Sequence, residues 1–260
     1  MFTQVINLKK DNHRLDWMTQ SLSNKQLPFT RLDAVTPDNL QGLDELYAVL
    51  LKRGLAPEEA CCSLSHRQCW VNLLNSTSEY GLVLEDDVHL SSDFQKILES
   101  IEQYSTVTGE HPAVVKLETF YATVTAELTQ LKLTDRRHMS KLLSNHGGAA
   151  AYVLNRATAA HLVAQFGGFE RAVDFELFHP ELRADHNLTA YQVLPACVIQ
   201  DHKMPQPRFA SGIPQRLENA TKPHKLILVF KSLIKPAYLL FYNAYLHTKG
   251  RRRVRVGYEN

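Results

Sequence analysis

Three consecutive acidic residues, Glu85-Asp86-Asp87, follow directly after the apolar run Leu82-Val83-Leu84. A short apolar run predicts a buried strand, and open α/β sheets bind ligands at the carboxyl ends of such strands. Adjacent carboxylates repel each other, and Mg²⁺ or Mn²⁺ with oxygen ligands relieves that repulsion while also binding substrate phosphates. The stretch therefore predicts a cation and phosphate site, although a solvated acidic turn has the same pattern.

Three further places carry residues that are able to do chemistry. Asp174 follows an apolar pair, His202 follows a predicted strand over residues 196–200, and His66 lies on a predicted helix over residues 57–75. Each also has an ordinary structural interpretation: Asp174 as a helix cap, and the two histidines as surface or core residues. The chain contains neither a G-x-G-x-x-G nor a G-x-x-x-x-G-K-[ST] motif, so metal-assisted binding is the remaining way to hold phosphates.

Strand and helix patterns alternate along the chain, which predicts an α/β fold. Residues 119–144 are predicted to form a less regular polar insertion, either a lid or an acceptor loop. The predicted strands cover residues 2–8, 29–35, 80–84, 113–117, 147–154, 189–193 and 196–200. Helices are predicted after the N-cap Asp11, over residues 40–51, 57–75 and 94–104, and from the N-cap Asn155 to Gly167-Gly168.

The composition of the 260 residues, 44% hydrophobic and 22% charged, is that of a globular protein with one α/β domain and a small appendage. The four cysteines have no C-x-x-C spacing, and three of them fall in one predicted helix, so the pattern indicates neither a zinc site nor a disulfide framework. Reduced thiols favour a cytoplasmic protein. We also expect no secretory signal, because no basic region with a long apolar core opens the chain, and no apolar run reaches transmembrane length.

Charge is distributed unevenly between residues 1–220 and residues 221–260. The second segment contains nine basic residues and one acid, a net charge of +8, whereas 20 basic and 26 acidic residues leave the first segment at −6. We interpret residues 1–220 as the main α/β domain and residues 221–260 as a basic amphipathic helical tail. Such a tail suits an anionic membrane surface, although a core helix or a homodimer contact has the same pattern. Nucleic acid is not an expected partner, because the body of the chain is acidic.

Several motifs, taken in order, resemble those of glycosyltransferase family 25, the family of bacterial lipooligosaccharide galactosyltransferases. The resemblance spans residues 3–202, and the ordered set is more specific than any one motif. It rests on Val5-Ile6-Asn7-Leu8 with Arg14, Phe29 to Val35, Cys61 to His66, Leu84-Glu85-Asp86-Asp87-Val88, Gly148 to Asn155 and Val173-Asp174.

The resemblance implies a GT-A-type nucleotide-binding domain, with a mixed, mostly parallel central sheet flanked by helices. It also implies an inverting transfer of a hexose from UDP-galactose or UDP-glucose to a lipooligosaccharide acceptor. Glu85-Asp86-Asp87 stands where the family has its DxD-type metal motif, with Glu as a departure at the first position.

By this correspondence Asp87 would contact Mn²⁺ or Mg²⁺, and Glu85 or Asp86 would contact the ribose side of the donor. Asn7, Leu8 and Val35 would line the uracil pocket through backbone atoms, with Arg14 in the same donor-binding motif. His66 corresponds to the Ser-His pair of the family, and His202 is a metal ligand by analogy to the wider fold.

Inverting transfer requires a base for the acceptor hydroxyl, and a well-placed carboxylate contributes typically about 10²–10⁴-fold. Asp174 is the candidate base because it lies far beyond the metal motif, at the start of a predicted helix; Glu118 and Glu176 are the substitutes. A lipid-linked acceptor favours a cytoplasmic enzyme, peripheral on the inner membrane face. Two alternatives stay open: a nucleotidyltransferase that releases pyrophosphate, and a non-catalytic nucleotide-sugar-binding scaffold.

Overall fold

The computed structural model of the chain describes residues 1–108, 114–185, 188–209 and 239–260. The strands of these ranges are β1 (Phe2–Asn7), β2 (Thr30–Asp33), β3 (Tyr80–Glu85), β4 (Val88–Leu90), β5 (Val114–Lys116), β6 (Glu118–Thr119), β7 (Thr123–Glu127), β8 (Leu131–Lys132), β9 (His138–Lys141), β10 (Ala151–Asn155), β11 (Ala190–Leu194), β12 (Val198–Gln200) and β13 (Arg251–Arg255). The α-helices are α1 (Asn12–Ser23), α2 (Asp44–Lys52), α3 (Pro57–Asn75), α4 (Phe94–Thr108), α5 (Arg156–Gln165), α6 (Val173–Phe178), α7 (Pro180–Asp185) and α8 (239–248).

An eight-stranded sheet in the order β2-β1-β3-β10-β5-β11-β9-β8 forms the centre of the fold. Strands β10 and β9 run against the other six, so only the β1–β2, β1–β3 and β5–β11 pairs are parallel. The predicted mixed sheet is confirmed. The sheet is mostly parallel, as predicted, in that six of its eight strands point in the same direction. It is not mostly parallel by pairing, because only three of the seven neighbouring pairs are parallel.

Helices cover both faces of this sheet. Successive side chains of a strand point to opposite faces, so the apolar strands present apolar side chains to both faces, and helices bury them. Ile6, Val83 and Tyr152 pack with buried residues of α3 and α5 in one core. Val5 and Leu82 pack with buried residues of α1 and α4 in a second core on the other face. The central strands are buried on both sides, which is why β3 and β10 have nearly continuous apolar sequences rather than alternating ones.

Helix α3 places functional side chains against the end of β3. It begins as the sequence predicts, with Pro57 in its first turn, and the Glu59 carboxylate accepts a hydrogen bond from the Ala56 backbone N–H at 3.0 Å. Cys62 and His66 are one helical turn apart and therefore share a face of α3. That face lies beside Glu85, the last residue of β3.

A small sheet in the order β4-β12-β6 lies at the carboxyl end of β3. β12 is antiparallel to β4 and parallel to β6. Since β4 starts directly after Asp87, β6 starts at Glu118 and β12 ends at Gln200, these pairings bring residues distant in sequence to one place.

Residues 119–144, predicted to be a less regular insertion, consist largely of strands. β9 and β8 extend the edge of the central sheet, and β7 pairs with β13 from the C-terminal end of the chain. Arg137 is fully buried there, where it pairs with Asp93 and donates to the carbonyls of Pro195, Ala196 and Glu259. The segment is more regular than the predicted less regular insertion, because the strand partners of β7 lie elsewhere in the sequence.

The predicted helical tail contains both a helix and a strand in its described part, residues 239–260. α8 covers residues 239–248, but the arginine-rich run forms β13, and Val256 is fully buried in the core. The arginine run is thus wrongly predicted as helical. The predicted boundary at residue 220 lies outside the described residues. Within the described part of the chain, every helix is too short or too polar to cross a membrane.

Candidate active site

The three acidic residues at the end of β3 have different partners. Glu85 ends the strand, and Asp86 and Asp87 form the turn that leads into β4. Asp86 is 6% exposed; its Oδ2 accepts from Asn7 Nδ2 at 2.7 Å, and its Oδ1 accepts from the Arg14 guanidinium at 3.1 Å. The middle carboxylate is therefore paired and hydrogen-bonded within the protein.

Arg14 and Asn7 lie on the two elements that open the chain, α1 and β1. Burial opposes the charge of Arg14, but the hydrogen bond and the charge of Asp86 outweigh it, so the pKa of Arg14 is raised. Both ends of the Asn7 side-chain amide are hydrogen-bonded: Nδ2 donates to Asp86, and Oδ1 accepts from Arg31 Nε at 2.9 Å. This network holds Asp86 in one orientation.

Glu85 and Asp87 share Gln200 and have raised pKa values. The Gln200 amide donates to Glu85 Oε2 at 3.1 Å and to Asp87 Oδ1 at 3.3 Å. Burial, followed by the negative charge of Asp87, raises the pKa of Glu85 well above its ordinary value. Burial also raises the pKa of Asp87, against the opposing effects of Gln200 and Arg14. These two carboxylates carry charge that the protein compensates only in part.

His66 is fully buried beside Glu85, with its Nε2 3.7 Å from Glu85 Oε1. Its Nδ1 lies 2.9 Å from the Tyr152 hydroxyl, and that hydroxyl also accepts from Trp70 Nε1 at 2.9 Å. The Tyr152 hydroxyl has one proton to donate and a second lone pair, so it is able to pair with Nδ1 in either tautomer of the His66 ring. Burial lowers the pKa of His66 to about 3, so the ring is neutral.

The residues predicted to line a uracil pocket lie beside this site, at the ends of β1 and β2. The Asn7 carbonyl accepts from Ala34 N–H at 3.0 Å, and the Leu8 carbonyl accepts from Asp11 N–H at 2.9 Å. The Val35 N–H donates to Ser65 Oγ at 2.9 Å. Backbone contacts to a base would therefore use the second lone pair of each carbonyl, since the Val35 N–H already has a partner.

A backbone segment at residues 147–150, here called the glycine segment, connects three carboxylates. The Glu85 N–H donates to the Ala150 carbonyl at 2.8 Å, and the Ala150 N–H donates to Glu118 Oε1 at 2.6 Å. The Gly148 N–H donates to Asp174 Oδ2 at 2.8 Å. Glu85, Glu118 and Asp174 are thus held on one short stretch of chain and, with Asp86 and Asp87, form the acidic cluster.

Lys116 is the buried cation of this cluster. Its Nζ lies 3.0 Å from Glu118 Oε1, donates to the Gly148 carbonyl and lies 4.4 Å from the centre of the Phe178 ring. Burial lowers the pKa of Lys116, although the charge of Glu118 counteracts that effect. Glu118 Oε2 is buried without a hydrogen-bond partner in the described structure, so one oxygen remains available to a ligand.

Asp174 is the second residue of α6, at the start of a helix as predicted. Its carboxylate accepts from Gly148, in a different part of the chain, so it does more than cap its own helix. Glu176, one of the substitutes, is fully buried and accepts from the N–H groups of Glu170 and Arg171, both at 2.9 Å. These bonds give Glu176 a structural role.

Asp201 and His202 follow β12, beside Asp87. The Asp201 N–H donates to the Asp87 carbonyl at 2.7 Å, while the Asp201 carboxylate bonds His89 and the N–H groups of Arg208 and Phe209. Burial and the charge of Lys203 lower the pKa of His202, whereas Asp87 counteracts this. His202 is therefore a neutral imidazole within electrostatic range of Asp87.

Three residues of the site were not predicted from the sequence: Gln200, Lys116 and Tyr152. Gln200 had a usable signal, because it ends a predicted strand directly before Asp201-His202. Lys116 lies in the apolar run of β5, and Tyr152 in the small-residue strand β10, where each looks like an ordinary core residue. Only the tertiary structure brings them to the cluster.

Comparison with known proteins identifies the family. The model of glycosyltransferase family 25, described as an LPS biosynthesis protein, matches residues 1–177, the part of the chain that carries β1, the acidic turn, the glycine segment and Asp174. The chain belongs to glycosyltransferase family 25. The resemblance inferred from the motifs is confirmed, and the alternative of a solvated acidic turn is not favoured, because these acids face protein groups.

Relatives of this family 25 glycosyltransferase include three named proteins of similar length. The lipooligosaccharide biosynthesis protein lic2B of Haemophilus influenzae is 27% identical, covering 77% of this chain and 76% of its own. The lacto-N-neotetraose biosynthesis glycosyltransferase LgtE of Neisseria meningitidis serogroup B is 28% identical, with coverages of 77% and 74%. LgtB of N. meningitidis serogroup A is 27% identical, with coverages of 69% and 64%.

Solved structures resemble this glycosyltransferase only distantly. Mannose-1-phosphate geranyltransferase from Thermus thermophilus has a TM-score of 0.41 and 12% identity, covering 75% of this chain and 74% of that one. A TM-score this low supports no conclusion about the chain, so its assignment rests on the family match.

Proposed function

We propose that the protein catalyses an inverting, divalent-cation-dependent transfer of a hexose, galactose from UDP-galactose, to a lipooligosaccharide acceptor sugar on a GT-A-type domain. The observation that carries the proposal is the division of roles within the acidic turn. Asp86 accepts close hydrogen bonds from Arg14 and Asn7, whereas Glu85 and Asp87 share the neutral amide of Gln200, and Arg14 approaches Asp87 only at 3.8 Å. Two incompletely compensated carboxylates at the end of a buried strand suit a cation that carries a diphosphate.

The residues at this place fit Mn²⁺ or Mg²⁺. Both ions prefer oxygen ligands, which Glu85 and Asp87 supply, and the neutral imidazole of His202 is a further ligand candidate. The predicted ligands Asp87 and His202 are thus retained, with Glu85 beside them. When bound, such a cation offsets the negative charge that develops on the leaving diphosphate.

The donor nucleotide would lie between the ends of β1 and β2 and the acidic turn. The uracil base would contact the carbonyls of Asn7 and Leu8 and the backbone of Val35. The Nε2 atom of His66 faces Glu85 and would contact a ribose or phosphate oxygen placed between them. Arg14 acts indirectly, because it holds Asp86. Of the two acids expected near the ribose, Glu85 is the better candidate, since both Asp86 oxygens already have protein partners.

Asp174 is the proposed base. Its hydrogen bond from the Gly148 N–H orients the carboxylate on the glycine segment, close enough to Glu85 and Lys116 for their charges to interact. The acceptor hydroxyl would give its proton to Asp174 while its oxygen bonds to the anomeric carbon. The bond from that carbon to the diphosphate oxygen would break as the new bond forms, and UDP would depart with the electron pair.

The acceptor assignment follows the relatives, whose names place them in lipooligosaccharide and lacto-N-neotetraose biosynthesis. A lipid-linked acceptor favours a cytoplasmic enzyme, peripheral on the inner membrane face. On α8, Leu240 and Phe241 are 72% and 79% exposed, and three arginines of β13, the next element of the chain, are exposed as well. This surface suits anionic lipid, and a homodimer contact is the alternative.

Product analysis with purified full-length protein, UDP-galactose, Mn²⁺ and a lipooligosaccharide acceptor tests the proposal. We expect UDP and extended glycan; pyrophosphate would indicate a nucleotidyltransferase, and tight UDP binding without turnover would indicate a scaffold. Asp174→Asn should reduce transfer by about 10²–10⁴-fold with UDP binding retained, because an amide oxygen still accepts from Gly148 but takes no proton.

Asp87→Ala should instead weaken UDP binding in the presence of Mn²⁺, as measured by calorimetry. The exposed Asp16→Asn on α1 is the control for a general effect of removing a carboxylate. Unchanged turnover in Asp174→Asn would remove Asp174 from its role, and unchanged binding in Asp87→Ala would remove the cation from this turn.

A further inference from the structure

Cys62, His66 and Glu85 form a cluster whose composition differs from that of an oxygen-ligand cation site. One ligand atom from each residue, a thiol sulfur, an imidazole nitrogen and a carboxylate oxygen, lies within 4.8 Å of the other two. Cys62 and His66 are one turn apart on α3, and Glu85 faces them from the end of β3. The four-residue spacing from Cys62 to His66 differs from the C-x-x-C pattern, so the sequence alone did not indicate the cluster.

A second observation indicates that this cluster is able to take a ligand. His66 Nε2 is buried and has no hydrogen-bond partner in the described structure, and it is directed at Glu85 Oε1 across 3.7 Å. The opposite ring nitrogen lies 2.9 Å from the Tyr152 oxygen. Metal-bound histidines usually donate their second ring N–H to such an oxygen, and Tyr152 is placed to accept it once Nε2 binds a metal.

The ligand types favour a soft divalent ion. Thiolate and imidazole prefer Zn²⁺, whereas Mn²⁺ and Mg²⁺ prefer carboxylate, carbonyl and water oxygens. Ligand atoms of a tetrahedral zinc site lie roughly 3.5 Å apart, given metal–ligand distances of about 2.0–2.3 Å. The cluster therefore needs to close by about 1 Å, which rotation of the Glu85 and Cys62 side chains supplies.

We propose that Cys62, His66 and Glu85 form a Zn²⁺ site, completed by water, that inhibits the enzyme by withdrawing Glu85 and His66 from the donor pocket. The inhibitory part rests on the proposed function, whereas the zinc site does not. On binding, the Cys62 thiol proton passes to solvent and a sulfur–zinc bond forms; no electron is transferred. Zinc and the UDP–Mn²⁺ complex then exclude each other.

Zinc titration of the full-length, ligand-free protein against a chromophoric chelator tests the site. We expect one Zn²⁺ per chain, an affinity at least tenfold lower in Cys62→Ser, and unchanged affinity in the control Cys61→Ser on the adjacent residue of α3. Co²⁺ should give a thiolate-to-cobalt absorption band that Cys62→Ser lacks. Because Cys62 is only partly buried, the serine variant should fold, and Cys62→Ala is the second variant if it does not.

Zinc affinity that is the same in wild type and Cys62→Ser, or the absence of stoichiometric binding in the wild type, would overturn the site. Calorimetry of UDP with Mn²⁺ tests the inhibition: zinc should weaken UDP binding in the wild type and much less in Cys62→Ser. Equal weakening in both would overturn the inhibitory part. If no variant binds UDP, the proposed function fails, and the zinc titration still decides the site.

Discussion

Gly148→Ala adds one methyl group at the centre of the glycine segment, where the structure allows two separate costs to be calculated. Gly148 has φ +81°, a left-handed conformation that costs other residues roughly 1–2 kcal/mol. An added Cβ would also lie 2.9 Å from Phe120 Cε1 and 3.1 Å from Glu118 Oε1. Moving the Phe120 ring off its preferred rotamer costs about 1 kcal/mol more. We expect the free energy of unfolding to fall by about 2–3 kcal/mol.

The same substitution should lower activity beyond its effect on stability. Gly148 donates to Asp174 and accepts from Lys116, so a displaced backbone moves the proposed base and the Glu118–Lys116 pair together. Because a misplacement of about 1 Å costs about 10²-fold in rate, a shift of a few tenths of an ångström should cost about tenfold.

Two control substitutions at other glycines separate the backbone cost from the crowding cost. Stability is measured by urea unfolding, and activity by a transfer assay at saturating donor. Gly54 has φ +89° with nothing within 4 Å of an added Cβ, so Gly54→Ala reports the backbone cost alone. Gly167 has neither a positive φ nor a close neighbour, so Gly167→Ala should be near neutral. If Gly148→Ala is as stable and active as Gly54→Ala, the crowding at Glu118 has no role and the reasoning fails.

Three further predictions concern the cluster, the buried ring network and the tail. At pH values between the ordinary carboxyl pKa and the raised pKa of the folded state, Glu85 is protonated only in the native state, so the stability of the metal-free protein falls as pH rises. In thermal unfolding at pH 5–8, Glu85→Gln should lose stability less steeply than the wild type as pH rises. An unchanged slope would contradict this prediction. Tyr152→Phe leaves Trp70 without an acceptor, which should cost about 1–3 kcal/mol in urea unfolding, and a loss below about 0.5 kcal/mol would exclude the network. Replacing both Leu240 and Phe241 by serine should weaken partitioning onto anionic vesicles at least tenfold, whereas equal partitioning would leave the dimer contact as the better interpretation.

Local patterns predicted the central elements well, because their signals lie within the elements themselves. Pro57 opens α3, which ends at Asn75 as predicted, and the Asn155 side chain caps α5 through the Thr158 N–H at 2.7 Å. The buried run from Tyr80 is β3, with Glu85 as its last residue. Burial on both faces removes alternation from such strands, so their type is read from their short length and flanking residues.

Pairings between distant segments were not predictable in the same way. β7 and β13 lie more than a hundred residues apart, and each is too polar for its own sequence to indicate a strand. Arg137 looks like a surface residue of a polar loop, yet it is buried against carbonyls of Pro195, Ala196 and Glu259. These non-local acceptors, together with the Asp93 carboxylate, offset the free-energy cost of burying its charge.

The position of the acidic turn at the end of a buried strand was predictable from the sequence, but the partners of its three residues are contained in no local pattern. Asp86 is fixed because Asn7 and Arg14 come from the first strand and helix, whereas Gln200, which Glu85 and Asp87 share, comes from the end of β12. From the sequence, Asp87 is the expected metal ligand, and the roles of Glu85 and Asp86 are not distinguished.

Charge balance gives a physical reason for this division. The acidic cluster has five carboxylates. Arg14 lies 3.1 Å from Asp86 and 3.8 Å from Asp87, and Lys116 lies 3.0 Å from Glu118. A partly buried carboxylate whose charge is not fully offset is destabilising, and the raised pKa values of Glu85 and Asp87 are the expression of that cost. A core selected for stability alone would replace these acids by amides or apolar residues. Their presence beside a neutral Gln200 is understandable if a bound cation supplies the missing charge during donor binding, which is why ligand-free stability and cation binding should respond in opposite directions to Glu85→Gln.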